Sequence, residues 1–443
     1  MREPKNVIYI HSHDTGRIVE PYGYPVPTPN LMRLAAQSVL FGSMFCANPT
    51  CSPSRAALLT GQYPHSCGQL GLAHRGFLMS DYSHHIAPFL VSNGYTAALS
   101  GVQHVAVGDD AAARIGYTEH LGGAQHADQQ AAAWLESKPS SPFFLSCGFF
   151  ETHRDFPELT ADEARLVNDP GAPVAPGHPD RRPLREDFAR YRKSAAELDR
   201  KIGVVLDALE RSGLADETIV LCTTDHGIAF PSMKCTLKDA GTGVMCLLRV
   251  PGQPPVRVDA LASQVDLFPT LCDLLELPHP DWLEGVSLLP LFAGGDPEAP
   301  PEAPPEAPPV RQEVFTEVNF HAAAEPKRAV RTERYKLIRR YDSHGRVVLP
   351  NVDDGVSKDF FLACGWADEP QASEQLYDLW LDPFERCNRI GDEWLRTIRD
   401  DLRMRLDRWM KNTDDPLLRG PLTPPAGARL NPVEGRSPRE PAV

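Results

Sequence analysis

The sequence predicts an α/β fold: a large, mostly parallel sheet sandwiched by helices, then a smaller C-terminal antiparallel sheet with a helix. Three observations carry this. Short β-rich apolar runs alternate with segments of helical periodicity through the first two thirds of the chain, as in a parallel sheet covered on both faces. Polar clusters follow directly on three of those runs, where open α/β sheets bind ligands. Beyond a Pro-rich tract the pattern changes to closely spaced strand-like runs and one amphipathic helix.

Each element has a local reason. "NVIYI" (6–10) is a buried strand. "TPNLMRLAAQSVLF" (28–41) reads as one helix opened by Thr-Pro. "CSPSRAALLTG" (51–61) reads as a helix with an early proline and a terminal glycine. "IAPFLVSNGYTAALSG" (86–101) reads as helix, glycine turn and strand, and "PFFLSCGFF" (142–150) as a strand. "YRKSAAELDRKIGVVLDALERSGL" (191–214) is a long amphipathic helix stopped by glycine. "ETIVLCTTDHG" (217–227) is a strand with a polar tip, and "GVMCLLRVPG" and "SQVDLFPTLCDLLEL" add a strand and a helix. "RAVRTERYKLIRRYD" and "EQLYDLWLDPFE" read as strands of the small sheet, and "WLRTIRDDLRMRLDRWMKN" as its helix. These readings divide the chain into a large α/β unit (1–295), a Pro-rich linker or loop (296–310), an α+β unit (311–415) and an irregular tail (416–443). The repeated "PEAPPEAPPEAPP" of the linker favours an extended polyproline II spacer.

Composition narrows the function. The 443 residues are 42% hydrophobic and 23% charged, ordinary globular values. A formal charge of −14 argues against a nucleic-acid partner, and an anionic substrate needs a local basic pocket to overcome it. No apolar run reaches the roughly 18 residues of a membrane span. "MREPKNVIYIHSHD" enters a strand without a secretory apolar region, so a cytoplasmic location is expected. The ten scattered cysteines form no C-x-x-C pair, which favours free thiols over a cysteine zinc site. The oligomeric state is left open; a homodimer is compatible with the sequence.

The chemistry-bearing residues cluster after the strands. Cys51 opens a helix whose free N–H groups and dipole favour an anion, and Arg55 adds charge one turn on. His13 and Asp14 follow the first strand, and Asp225 and His226 follow "IVLCTT". Together they supply two carboxylates and two imidazoles, enough for one divalent metal.

The string "CSPSRAALLTG" resembles the sulfatase signature, C-x-P-S-R followed by an apolar pair and T-G. The resemblance runs over nearly the whole chain. It implies the alkaline-phosphatase-like sulfatase fold and oxidation of Cys51 to formylglycine by a maturase, with the hydrated aldehyde as nucleophile. It also implies a divalent metal held by His13, Asp14, residue 51, Asp225 and His226. The family usually has an Asp-Asp pair and an Asp-Asn pair there, which suits Ca²⁺. His13 and His226 depart from that pattern, and imidazoles favour Mn²⁺ or Zn²⁺.

By the same resemblance "SGVQHVAVG" (100–108) stands for the family's G-K-x-H segment. It gives His104 as a catalytic histidine and leaves Val102 where the lysine is expected. "FFETHR" gives His153 as a sulfate or leaving-group contact and Arg154 as a substrate ligand. "FPSMKCTLKD" gives Lys234 as a basic sulfate ligand. His321, Glu325 and Arg328 are candidates to reach a sugar. "TTDHGIAFPSMK" and "EQLYDLWLDPFERCN" look most like the heparan N-sulfatase (sulfamidase) branch, which implies a sulfated glycan or small ester as substrate. A phosphonate or phosphate monoester hydrolase of the same superfamily is the rival reading. A non-catalytic binding protein on the same fold is another.

Overall fold

The computed structural model describes residues 5–169, 171–292 and 310–442. The Pro-rich tract 296–310 lies outside these apart from Val310. The N-terminal part carries ten strands: β1 (Asn6–Ser12), β2 (Val39–Phe41), β3 (Met44–Phe45), β4 (Thr96–Gly101), β5 (Glu119–Gly122), β6 (Phe143–Gly148), β7 (Thr218–Thr224), β8 (Cys246–Arg249), β9 (Val256–Val258) and β10 (Ala262–Ser263). Eight of them form one sheet in the order β5-β4-β6-β1-β7-β8-β2-β9, and β3 and β10 pair separately. All neighbours in the large sheet are parallel except β8, which runs antiparallel to β7 and β2.

The pleat divides the core. Val7 and Tyr9 of β1 face one layer with Leu58 and Leu59 of the helix Cys51–Thr60 and Ile86 and Leu90 of the helix Ile86–Ser92. Ile8 and Ile10 face the other, against the helices Ala127–Glu136 and Arg182–Ser212. The latter helix presents Leu198, Ile202, Val205 and Leu209 at helical spacing, each worth about 1.5–3 kcal/mol of burial. It begins nine residues before the periodic stretch that suggested it, at a proline-bearing first turn.

One element departs from the sequence reading. The stretch 28–41 is not a single helix: it is helical over Pro29–Ala35 and becomes β2 at Val39–Phe41. Ser38 closes the helix by donating its Oγ to the Leu34 carbonyl (2.7 Å). Val39 and Leu40 then gain ladder partners in β8 and β9, which an isolated apolar run does not advertise.

The C-terminal strands β11 (Glu313–Phe320), β12 (Ala324–Thr332), β13 (Tyr335–Arg340) and β14 (Glu374–Asp378) form an antiparallel meander in sequence order. Val330, Leu337 and Leu376 pack under Leu402, Leu406, Trp409 and Met410 of the helix Arg396–Asn412. Ala329, Ile338 and Tyr377 face Leu237, which follows Lys234 in the large unit. Through this contact the small sheet brings its β13–β14 connection, with Asp353, to the mouth of the large one. After a short 3-10 turn at Pro416–Arg419 the tail has no helix or strand among its described residues. It runs back to Arg75, which donates to Asn431 Oδ1 (2.9 Å). No helix among the described residues is long and apolar enough to cross a membrane.

Candidate active site

Strands β6, β1 and β7 are adjacent in the sheet, so the residues that follow them converge. His153 follows β6, His13 and Asp14 follow β1, and Asp225 and His226 follow β7. Asp14 takes a left-handed turn (φ 51°), which aspartate tolerates better than most residues. The turn aims its N–H at Asp225 Oδ1 (2.9 Å), and the His226 N–H reaches the same oxygen (2.9 Å). Asp225 Oδ2 faces Arg55 (3.0 Å) and His13 Nδ1 (3.1 Å). Burial alone would raise the Asp225 carboxyl. Its neighbours His226, Arg55 and His13 reverse this and hold it well below the carboxylate range.

The helix Cys51–Thr60 presents Cys51 to this cluster. Its N-cap, Thr50, is extended and makes no side-chain cap; its hydroxyl donates to Asn48 Oδ1 instead (2.6 Å). The first-turn N–H groups thus have no capping oxygen, which suits an anion seat. Gly61 ends the helix in the left-handed conformation (φ 67°), where the Leu283 side chain leaves a Cβ no room. Ser54 donates to the Asp225 carbonyl (2.6 Å) and ties the helix to β7. Arg55, 1% exposed, donates to the Ser12 carbonyl (2.8 Å), to Asp225 and to His11 Nδ1. Burial, ahead of every charge nearby, pushes the Cys51 thiol well above its ordinary value. A thiol held protonated is a poor nucleophile.

Ligand atoms of His13, Asp14, Cys51 and Asp225 lie within 4.8 Å of one another, all buried. His226 Nδ1 faces the Gly227 carbonyl (3.0 Å), so that nitrogen carries the proton. Its Nε2 is left to face Cys51 Sγ (3.5 Å) and Asp14 Oδ1 (3.4 Å). Asp14 Oδ1 is buried and accepts no hydrogen bond among the described residues. A buried carboxylate oxygen without a donor, among a second carboxylate and two imidazoles, fits a divalent cation.

Lys234 lies at the rim, between Asp14 Oδ2 (2.8 Å) and Asp353 Oδ2 (3.1 Å). Burial alone would lower its pKa; Asp14 and Asp353 raise it well above the ordinary value. His153 packs edge-on to His13 (centroids 5.5 Å), and its Nδ1 donates to the Arg154 carbonyl, which leaves Nε2 free. His104, in a left-handed turn (φ 61°), has a ring nitrogen within 4.8 Å of the His13 and Cys51 ligand atoms. Its Nε2 pairs with His74 Nδ1 (3.0 Å), and its Nδ1 has no hydrogen-bond partner among the described residues. Burial, then Arg55 and His74, hold its pKa down to about 3. A cavity of about 420 Å³ opens beside His13, His104 and His153, with Val102 and Phe150 in its wall.

Three sequence candidates are placed differently. Arg154, read from sequence as a substrate ligand, has its guanidinium engaged within the protein: it grips Asp187 with two bonds (2.9 and 2.6 Å), donates to the Ala229 carbonyl and stacks over Phe156 and Phe230. Glu325 is committed to Lys327 (2.8 Å), Arg340 (3.2 Å) and Asn351 (3.1 Å) in the wall of a cavity of about 130 Å³ that Lys234 also lines. Arg328 is fully buried and paired with Glu317 and Asp415. His321 does lie near the site; burial and then Lys234 drive its pKa well down.

Sequence reasoning missed His74, Asp353 and His11. Only His11 had a local signal, its place in "HSHD". The others arrive from a turn and from the distant small sheet.

Comparisons with known proteins point to one family. The family model described as Sulfatase matches residues 5–277. Human N-sulphoglucosamine sulphohydrolase is 26% identical, with 94% of this chain and 92% of that protein covered. Human arylsulfatase A is 28% identical over 88% of this chain and 84% of its own length. The crystal structure of a sulfatase from Bacteroides thetaiotaomicron superposes with a TM-score of 0.72 at 21% identity, over 99% of this chain and 100% of that one. With the signature helix seated on a buried cluster at the sheet's carboxyl edge, the chain belongs to the sulfatase family of hydrolases.

Proposed function

We propose that the protein hydrolyses a sulfate ester or sulfamate of a sugar, N-sulfoglucosamine-like, at residue 51. The observation that carries the reading is the single buried cluster of Cys51, Asp14, Asp225 and Arg55, with Lys234 and His153 at its rim. The name of the human sulphohydrolase relative supports the choice of sugar. Formylglycine made from Cys51 by a maturase supplies, as its hydrate, a nucleophilic hydroxyl and a second hydroxyl through which sulfate is expelled. A divalent cation held by His13, Asp14, Asp225 and His226 supplies Lewis acidity where charge develops on the sulfuryl oxygens. Family resemblance favours Ca²⁺, and the imidazoles favour Mn²⁺ or Zn²⁺.

The chain's own side chains do the rest. Arg55 fixes Asp225 and adds charge beneath residue 51. Lys234 faces the sulfuryl oxygens and preorganises positive charge for the transition state. His153 Nε2 gives a proton to the leaving oxygen or nitrogen, its ring held by the bond from Nδ1 to the Arg154 carbonyl. His104 Nδ1, free of other partners, takes a proton from residue 51.

The test is release of product from an aryl sulfate, N-sulfoglucosamine and phenylphosphonate, measured side by side on matured enzyme. Sulfate release should exceed phosphonate hydrolysis by at least about a hundredfold in kcat/KM, about 2.7 kcal/mol. A phosphonate rate equal to or above the sulfate rates sinks the reading in favour of the phosphonate hydrolase.

A further inference from the structure

Two groups at the mouth are not used by the chemistry above. Phe150 is 49% exposed, an unusual placement for a large aromatic ring. It stands over the site: its ring centroid is 5.7 Å from that of His13 and 5.0 Å from that of His153. It forms part of the wall of the 420 Å³ cavity with Val102, Gln103 and His104. Asp353 comes from the small sheet's long connection and keeps 16% of its side chain exposed beside Lys234. Burial would raise its carboxyl, but Lys234, His153 and His321 hold it well below the usual range, so it is an acceptor only. His321, at the same place, has a buried Nδ1 without a hydrogen-bond partner among the described residues.

Phe150 thus lies against His153, the group that meets the leaving atom, and Asp353 is joined through Lys234 to Asp14, next to His13, on the same site. An exposed aromatic face takes a flat or CH-rich ring. An ionised carboxylate at the same mouth accepts hydrogen bonds from hydroxyls. An aryl sulfate offers only the first of these, and a pyranose offers both. Resting on the sulfatase reading of residue 51, we infer that Phe150 and Asp353 form a pyranose subsite that selects sulfated sugars over other sulfate esters. Phe150 stacks on the ring of the leaving group. Asp353, with His321 beside it, accepts hydrogen bonds from ring hydroxyls. Neither residue takes part in bond breaking. Their effect is on which sulfate ester is held with its leaving atom at His153. Sites built to bind hydroxyls discriminate strongly against analogues that lack them, because the site's polar group is then left unpaired.

The experiment compares N-sulfoglucosamine with 4-nitrophenyl sulfate on matured full-length enzyme and on Asp353→Asn, Phe150→Ala and Phe150→Trp. Asp353→Asn should lower the sugar-to-aryl ratio of kcat/KM by at least about tenfold, chiefly by raising KM for the sugar. Phe150→Ala should raise KM for the sugar with kcat nearly kept, and Phe150→Trp should restore it. Phe150 is exposed, so its variants report even if Asp353→Asn weakens the fold. Equal losses on both substrates in Asp353→Asn would show a residue that merely positions Lys234 and would overturn the subsite. So would a Phe150→Ala enzyme with an unchanged sugar KM. Unsubstituted enzyme that cleaves the aryl sulfate but not the sugar overturns the subsite and the choice of sugar, and leaves sulfate hydrolysis at residue 51 standing. Enzyme that releases sulfate from neither overturns the reading of residue 51 as well.

Discussion

Cys51→Ala should abolish sulfate release, by at least about three orders of magnitude in kcat, while the protein stays folded. The size follows from the role proposed for residue 51: without its nucleophile, the surrounding charges alone leave only residual catalysis. Stability should change little in comparison. The thiol makes no structural hydrogen bond beyond its 3.5 Å contact with His226, and alanine fits the same helix start. Turnover within tenfold of the parent would place the nucleophile elsewhere. Thermal unfolding of the same samples separates lost chemistry from lost structure.

Asp225→Asn should be costly in both respects. Asp225 takes two backbone N–H groups on Oδ1 and faces Arg55 and His13 on Oδ2, all within 3.1 Å. The amide keeps the shape but removes the charge, and whichever way it turns, its NH₂ meets a donor. Arg55, 1% exposed, is then a buried cation without its carboxylate. Breaking a buried pair in this way costs about 3–5 kcal/mol. Denaturant unfolding should show a loss of that size, elemental analysis a drop in bound divalent metal, and the sulfate assay a near-complete loss. A variant as stable and as metal-loaded as the parent would refute the place given to Asp225 as the hub of the site.

The parts of this protein that could be read from sequence are those with local causes. The strands at 6–10, 142–150 and 217–227 are apolar runs capped by polar clusters, and their adjacency in the sheet brings His13, Asp14, His153, Asp225 and His226 together. The helix at Cys51 announces itself through Pro53, Arg55 and Gly61. What escaped depends on long-range pairing. Val39–Phe41 continues a helical pattern until β8 and β9 claim it as a strand. Arg154 stands next to a site histidine in sequence, yet its guanidinium turns to Asp187 on the Arg182–Ser212 helix. Glu325 sits on β12 with three partners of its own. Asp353 reaches Lys234 only because the small sheet packs on Leu237, and no spacing in the chain encodes that.

We propose that residue 51, once matured, carries the hydrolysis. Preparations made with increasing amounts of a formylglycine-generating maturase should show increasing conversion of Cys51 in the peptide mass spectrum. Sulfate release per mole of protein should rise in direct proportion to the formylglycine fraction and extrapolate to zero at none. A rate that stays constant as that fraction changes would contradict the account.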